Sequence, residues 1–326
     1  MRKREISIVG AALTAWCAIS FADTIVPYAI NNGGVIVGQD YNSQGVYESF
    51  VYNTGTQTFT FLTPPGATNS IAVGINDSGQ IVGTYGTSTG NYGYLYSGGT
   101  YTTLSVPGAT QSPGTFFYYA NPNAIGTDAT GINDNGEIVG DWSGSSGEAG
   151  FIYSAGSFTN TSITDGSVFT ALYGVNDSGV ISGYTQTPAA GFLYSSGTFA
   201  PINYPGASRT VVQGINDSGE VVGFYTLDGS TWGFIYSDGT YTSIAYPGSS
   251  QTDLFGISNN GEIVGSYTCS SGLCPFSDPA FYAVPTQNGY SFQTIDAPTP
   301  EPASALLIGG GLAALFSTMR ARRARR

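Results

Sequence analysis

A ten-residue phrase that returns along the chain limits what this sequence can fold into. Gly74-Ile75-Asn76-Asp77-Ser78-Gly79-Gln80-Ile81-Val82-Gly83 recurs at positions 131–140, 174–183, 214–223 and 256–265, and a degenerate copy stands at 29–38. The copies lie about 45 residues apart on average. A period of roughly 20–50 residues marks solenoids, propellers and other arrays, whose units bury their apolar faces only by stacking on one another.

Each period carries four short strand signals. In the fifth unit, Thr210 to Ile215 is the first strand, Asn216-Asp217-Ser218-Gly219 a turn and Glu220 to Tyr225 the second strand. Asn and Asp bond their own backbone in such turns, and Gly accepts the positive φ they need. Gly233-Phe234-Ile235-Tyr236 is the third strand, Ser237-Asp238-Gly239 turns the chain, and Tyr241 to Tyr246 is the fourth, closed by Pro247-Gly248. The third-strand core returns as Phe50-Val51-Tyr52, Tyr94-Leu95-Tyr96, Phe151-Ile152-Tyr153 and Phe192-Leu193-Tyr194, and the last unit distorts it to Phe281-Tyr282-Ala283. No segment of 23–297 sustains a helical period. Six units of four antiparallel strands predict an all-β fold, a six-bladed β-propeller, because radial stacking buries both faces of each sheet and leaves only short edges. An open β-solenoid also fits a repeat, but its coils are usually shorter than this period.

The second Gly of each phrase falls inside a strand, where glycine normally weakens the ladder. Two residues later stands an aromatic in four units: Tyr85, Trp142, Tyr225 and Tyr267. A ring laid over bare backbone, or a close approach of the neighbouring blade, would account for it. The phrases resemble the HAF family of extracellular repeats, which pair a Gly-Ile-Asn-Asp-x-Gly-x-Val-Val-Gly segment with a His-Ala-Phe segment. The resemblance spans Asp23 to about Ala297. Here Ala149-Gly150-Phe151 or Trp232-Gly233-Phe234 replaces His-Ala-Phe, so no histidine-dependent role carries over.

The two ends read as an address. Residues 1–22 hold a basic start (Arg2, Lys3, Arg4), an apolar run and small residues at Ser20-Phe21-Ala22, the pattern of a secretory signal peptide. A lipoprotein reading of Cys17 would need a small residue where Trp16 stands. Residues 298–326 hold Pro300-Glu301-Pro302, an uncharged stretch over 303–319 and an arginine-rich end from Arg320 to Arg326. At ~1.5 Å per residue, that stretch makes a transmembrane helix of roughly 25 Å, just long enough to cross a bilayer. The arginines would hold its end in the cytoplasm. A plain membrane anchor fits this layout. The Pro-Glu-Pro, single span and arginine cluster, in that order, also resemble the PEP-CTERM sorting signal. That resemblance implies an exosortase-type processing enzyme as partner, transient anchoring in the inner membrane, and delivery to the surface of an exopolysaccharide-producing cell.

Between the ends there is one base, Arg209, against nineteen acids, a net charge of −18. Such a surface repels phosphate backbones and anionic lipid, which excludes nucleic acid as a partner and leaves cations, neutral glycans or basic partners. With no histidine in the chain and no lysine in this region, Ser-His-Asp and Cys-His catalysis are excluded. Paired carboxylates for glycoside hydrolysis remain conceivable. However, Asp77, Asp134, Asp177 and Asp217 share one repeated turn position, and Glu137, Glu220 and Glu262 one repeated strand position. Turn geometry and solvation account for acids that recur from unit to unit at one position. The acids off the repeat, among them Asp40, Glu48, Asp128, Asp141, Asp165, Asp228 and Asp253, show no recognisable spacing. No catalytic residue and no cofactor is expected. The Asn-Asp-x-Gly turns offer oxygen ligands to calcium but lack a dense acidic ligand run, so a turn motif is the stronger reading and no metal is assigned.

Signal removal leaves two cysteines, Cys269 and Cys274, expected to form a small loop disulfide in an oxidising compartment. They lie in the longer of the last unit's loops. The other insertion stretches the second-to-third spacing around the aromatic run at Phe116, Phe117, Tyr118 and Tyr119. Insertions in propellers map to loops on a face, where binding usually resides. Those four rings and Trp232 form the candidate ligand-facing set, suited to stacking on surface polysaccharide. The same run would equally serve as a strand extension packed on the next blade. The expected role is that of a non-enzymatic, surface-displayed module, structural or glycan-contacting; the alternative is a carboxylate-dependent glycan-active enzyme.

Overall fold

The protein is an all-β, six-bladed propeller in the computed structural model, which describes residues 24–110, 126–144, 147–166, 170–186, 189–269 and 279–297. Twenty-four strands form six sheets of four, and in each sheet strand order follows the chain with every neighbouring pair antiparallel. Blade 1 holds Thr24–Ile30, Val35–Tyr41, Tyr47–Asn53 and Thr58–Leu62. Blade 5 holds Arg209–Ile215, Val221–Leu227, Ser230–Ser237 and Thr240–Ile244. Relative to the sequence reading, its third strand is longer and its fourth ends two residues earlier. Among the described residues there is no helix, and none long and apolar enough to cross a membrane. The expected helix at 303–319 lies outside the described residues.

The first strand of every blade lines the axis, each touching the first strand of the next around a closed circle. Most of these strands are almost wholly buried, whereas the five-residue fourth strands of blades 1, 2, 4 and 5 expose three residues and bury only the last. The core lies between blades. Val139 and Ile163 of blade 3 pack with Leu172, Val175, Ile181 and Phe192 of blade 4, and each junction repeats that scheme. The third-strand aromatics Phe50, Tyr94, Phe151, Phe192, Phe234 and Phe281 are all buried. Each such ring contributes roughly 1.5–3 kcal/mol relative to an exposed one.

The two repeated glycines meet different obstacles. A Cβ on the second would lie 2.0 Å from the Ile71 carbonyl oxygen at Gly83, and 1.9 Å from that of Asp128 at Gly140. It would also strike the third-strand ring, Tyr94 or Phe151, at 2.8 Å. A ring therefore does lie over the bare backbone, but it comes from the third strand. The aromatics two residues further on stack elsewhere: Tyr225 on Tyr204 at 3.5 Å and Tyr267 on Tyr246 at 3.6 Å. The close approach of blades occurs at the first glycine, where a Cβ on Gly131 would lie 3.0 Å from Gly174 Cα of the next blade.

No strand from one end of the domain joins the sheet of the other. The seam between blades 1 and 6 closes by packing, with Ile25, Ile36, Phe50 and Tyr52 against Val264, Tyr282 and Ile295. Because strands alternate in direction, the phrase turns lie on one face of the disc. Connections between blades, and those between second and third strands, lie on the opposite face, here the entry face. Both insertions leave from the entry face, after Leu104 and after Cys269.

Candidate functional site

A bulge in each first strand, just before the first glycine, turns Tyr28, Val73, Thr130, Tyr173, Gln213 and Phe255 onto the axial channel. The channel has two mouths of different chemistry.

The turn-face mouth is a double hoop of hydrogen bonds. In the inner circle each Asn amide donates to the carbonyl of the next blade's turn: Asn31 to Asn76, Asn76 to Asn133, Asn133 to Asn176, Asn176 to Asn216 and Asn216 to Ser258, at 3.0–3.3 Å. Outside it, the backbone N–H of Asn32, Asp77, Asp134, Asp177, Asp217 and Asn259 each donates to the side-chain oxygen of the next member, at 2.7–2.9 Å. That circle is complete. Ser258 has no amide to send across the seam, and Asn260 supplies one instead, its Nδ2 donating to the Asn32 carbonyl at 3.0 Å. The repeated Asn-Asp pair thus builds the turn and also joins one blade to the next. Exposed carboxylate oxygens of Asp134, Asp177 and Asp217 lie within 4.8 Å of one another, the one group of described residues disposed to share a cation. Burial, then the neighbouring carboxylates, raise the Asp134 carboxyl above its ordinary range.

The entry-face mouth departs from six-fold regularity. Asp128 and Asp141 face each other across the first and second strands of blade 3. Glu148 stands opposite Ser143, two residues along from Asp141 on the same side of the sheet. These unrepeated acids converge. Burial pushes the Asp128 carboxyl up to about 6, against a hydrogen bond from Thr84 that favours the charged form. Burial, then Asp128, pushes Glu148 up to about 7. Asp141 is raised well above the usual carboxylate range by burial and by both neighbours, although its Oδ1 accepts the Leu172 N–H at 2.9 Å. Glu148 Oε2 is buried without a hydrogen-bond partner among the described residues. In blades 4 and 5 the place of Asp141 is taken by Tyr184 and Phe224, and the Arg209 guanidinium lies over both rings, 5.1 and 5.5 Å from their centres.

Of the residues expected to face a ligand, Phe116, Phe117, Tyr118 and Tyr119 lie outside the described residues. Trp232 is half-buried, opposite Tyr225 and packed against the cluster of Phe234 and Val212. Cys269 ends its strand and is disulfide-bonded; Cys274 lies outside the described residues, as do Pro300, Glu301 and Pro302. Glu148 and the placement of Arg209 escaped the sequence reading. Counting back three residues from each phrase finds Val26, Ile71, Ala171 and Val211 where Asp128 and Asp253 stand, a departure that would have flagged the acids.

No protein-family model matches the chain, and no curated protein matches it. Solved propellers do. TolB from Acinetobacter baumannii superposes with a TM-score of 0.54 at 12% identity, over 84% of this chain and 63% of TolB. AofleA from Arthrobotrys oligospora gives 0.53 at 9%, over 86% and 88%. The tricorn protease gives 0.52 at 13%, over 86% of this chain, which spans 27% of that one. At these identities the likeness shows the fold alone.

Proposed function

We propose that the chain is an exported protein, sorted to the cell surface by its Pro300-Glu301-Pro302 tail through an exosortase-type enzyme. There its propeller contacts polysaccharide. The observation that supports a contact role is the entry-face mouth. Asp128, Asp141, Glu148, Tyr184, Phe224 and Arg209 break the repeat together, on the face from which both insertions leave. These places differ from blade to blade, with Gln39, Thr84, Asp141, Tyr184, Phe224 and Ser266 at the place of Asp141, so the entry-face mouth carries an individual set of side chains where the turn-face mouth carries a repeated one. The test is truncation after Thr299, following both location and affinity for the source organism's exopolysaccharide. Loss of surface retention together with binding by the released domain is expected. A truncated protein that stays on the cell removes the tail from the reading, and a released domain without affinity removes the glycan contact.

A second reading, a carboxylate-dependent glycan-active enzyme, is favoured by the same acids. A carboxyl held near neutrality is poised as a general acid, and glycoside hydrolysis needs a second carboxylate beside it. Glu148 would act as the acid, with Asp128 as the ionised partner. Release of reducing ends from the polysaccharide, abolished by Glu148→Gln, is its expected signature; no release by the wild type overturns it.

A further inference from the structure

We propose that Arg209, held between Tyr184 and Phe224, is the anchor of a binding site for the carboxylate of an acidic sugar, a uronate, on the entry face. The inference rests on the reading that the propeller contacts glycan, and narrows it to one charged class.

Arg209 is the only base between Asp23 and Thr299, set among nineteen acids. In such a field a guanidinium is expected to pair with a carboxylate, yet among the described residues it makes no ion pair. Its contacts are the two ring faces, one from blade 4 and one from blade 5. Cation–π contact fixes the plane of the guanidinium and leaves its N–H edge free, and Arg209 is exposed. A planar fork with unused donors matches a carboxylate in a bidentate pair, with less ordering cost because the side chain is already held.

The mounting is rigid. Arg209 begins the axial strand of blade 5, opposite Thr226, while Tyr184 and Val211 are buried in one cluster with Ala171 and Tyr173. Tyr173, which lines the channel, lies within electrostatic reach of both Asp141 and Arg209. Arg209 therefore stands between the acids of blade 3 and Asp253, which holds the strand position of Asp128 in blade 6. A net charge of −18 disfavours polymers with a phosphate at every residue. A single carboxylate seated on the cation, its sugar ring beside Tyr184 and Phe224, meets both the charge and the apolar surface. Arg209 could instead merely cover the apolar cluster with its methylene stem; the variants below separate the two roles.

The test uses the full-length protein and three probes: a glucose oligomer bearing a single uronate residue, a neutral glucose oligomer of equal length, and acetate. Calorimetry is expected to show uronate binding, weakened about tenfold or more in Arg209→Gln, with neutral-oligomer affinity unchanged. Arg209→Lys keeps the charge and the stem but not the fork, so most of the uronate affinity should be lost while the melting temperature stays near wild type. Equal uronate affinity in wild type and Arg209→Gln overturns the proposal. If the neutral oligomer still binds in that case, the glycan reading stands; if neither oligomer binds, both readings fall. Acetate binding as tight as uronate overturns the sugar part, and Arg209→Lys binding like wild type overturns the bidentate contact.

Discussion

At Gly131 the ring leaves no room for a methyl group, because a Cβ there would sit 2.6 Å from the Tyr173 carbonyl oxygen in the next blade. Backbone cannot yield as a side-chain tip can. Gly131→Ala should therefore cost on the order of 1–3 kcal/mol, the usual range for overpacking, and lower the melting temperature by several degrees. Blade 1 already carries Ala29 at this position, so Ala29→Gly is the control, with a much smaller effect expected. A second residue-scale outcome concerns pH. Asp128 and Glu148 have folded pKa values raised to about 6 and about 7 from ordinary values of 3.8 and 4.5. Between those limits the folded state holds more protons than the unfolded one, so stability falls as pH rises. The contribution is fully present below about pH 4 and lost by about pH 7. Melting curves from pH 4.5 to 8 should show a declining melting temperature, with a shallower slope in Asp128→Asn/Glu148→Gln; an unchanged slope would show that these acids are not the cause. The repeat made both glycines conspicuous in the sequence, and it suggested a ring over the backbone or a close approach of the next blade. A linear reading did not show that the ring comes from the third strand, or that the blades approach at the first glycine rather than the second. The convergence of Asp128, Asp141 and Glu148 was hidden for a related reason, since it depends on which side of each strand faces the sheet's neighbour.

At the scale of the element, the phrase turn is read twice by the fold. Locally, the Asn76 Oδ1 accepts the Gln80 N–H at 2.9 Å and closes the hairpin, which composition alone suggests. Across blades, the adjacent acid accepts a backbone N–H from its neighbour, which no property of a single hairpin discloses. Asp177 separates the two possible meanings of this position. Asp177→Ala removes the acceptor for the Asp134 N–H and should cost ~1 kcal/mol. Asp177→Asn keeps an acceptor and removes one of three carboxylates packed within 4.8 Å, so stability should hold or rise. Denaturant titration of both variants, with and without calcium, is the measurement. If Asn proved as costly as Ala, the carboxylate charge itself would be holding the hoop, as a bound cation requires. The strands were largely legible because β-branched and aromatic runs alternate with Gly-containing turns. Their ends moved where stacking replaced pairing: Tyr246, expected in a fourth strand, leaves the ladder and lies flat on Tyr267.

For the whole molecule, blade number and strand count followed from the period, but neither the axial strand nor the closure did. Both depend on bulges and on contacts between residues more than 200 positions apart, such as the Asn259 N–H on Asn32 Oδ1. Closure without strand exchange makes the seam between blades 6 and 1 equivalent in kind to the other five. A circular permutant that begins at Gly206, with a short Gly-Ser link from Ala297 to Thr24, should therefore fold as a monomer with a melting temperature near that of the parent. Ile25 and Ile295 already share one buried cluster, and Ala297 packs against it. An aggregated or molten permutant would show that the natural ends contribute more than proximity. The same geometry sets an orientation. The first strand starts and the last strand ends on the entry face, so the domain would hang from a C-terminal tether with that face toward the membrane and the hoop of Asp77, Asp134, Asp177 and Asp217 pointing outward. A polymer reaching Arg209 would then approach from the bearer's own side. Under the proposed tethering, the propeller would grip strands issuing from the cell that carries it rather than those of a neighbour, a clasp in cis rather than a bridge in trans.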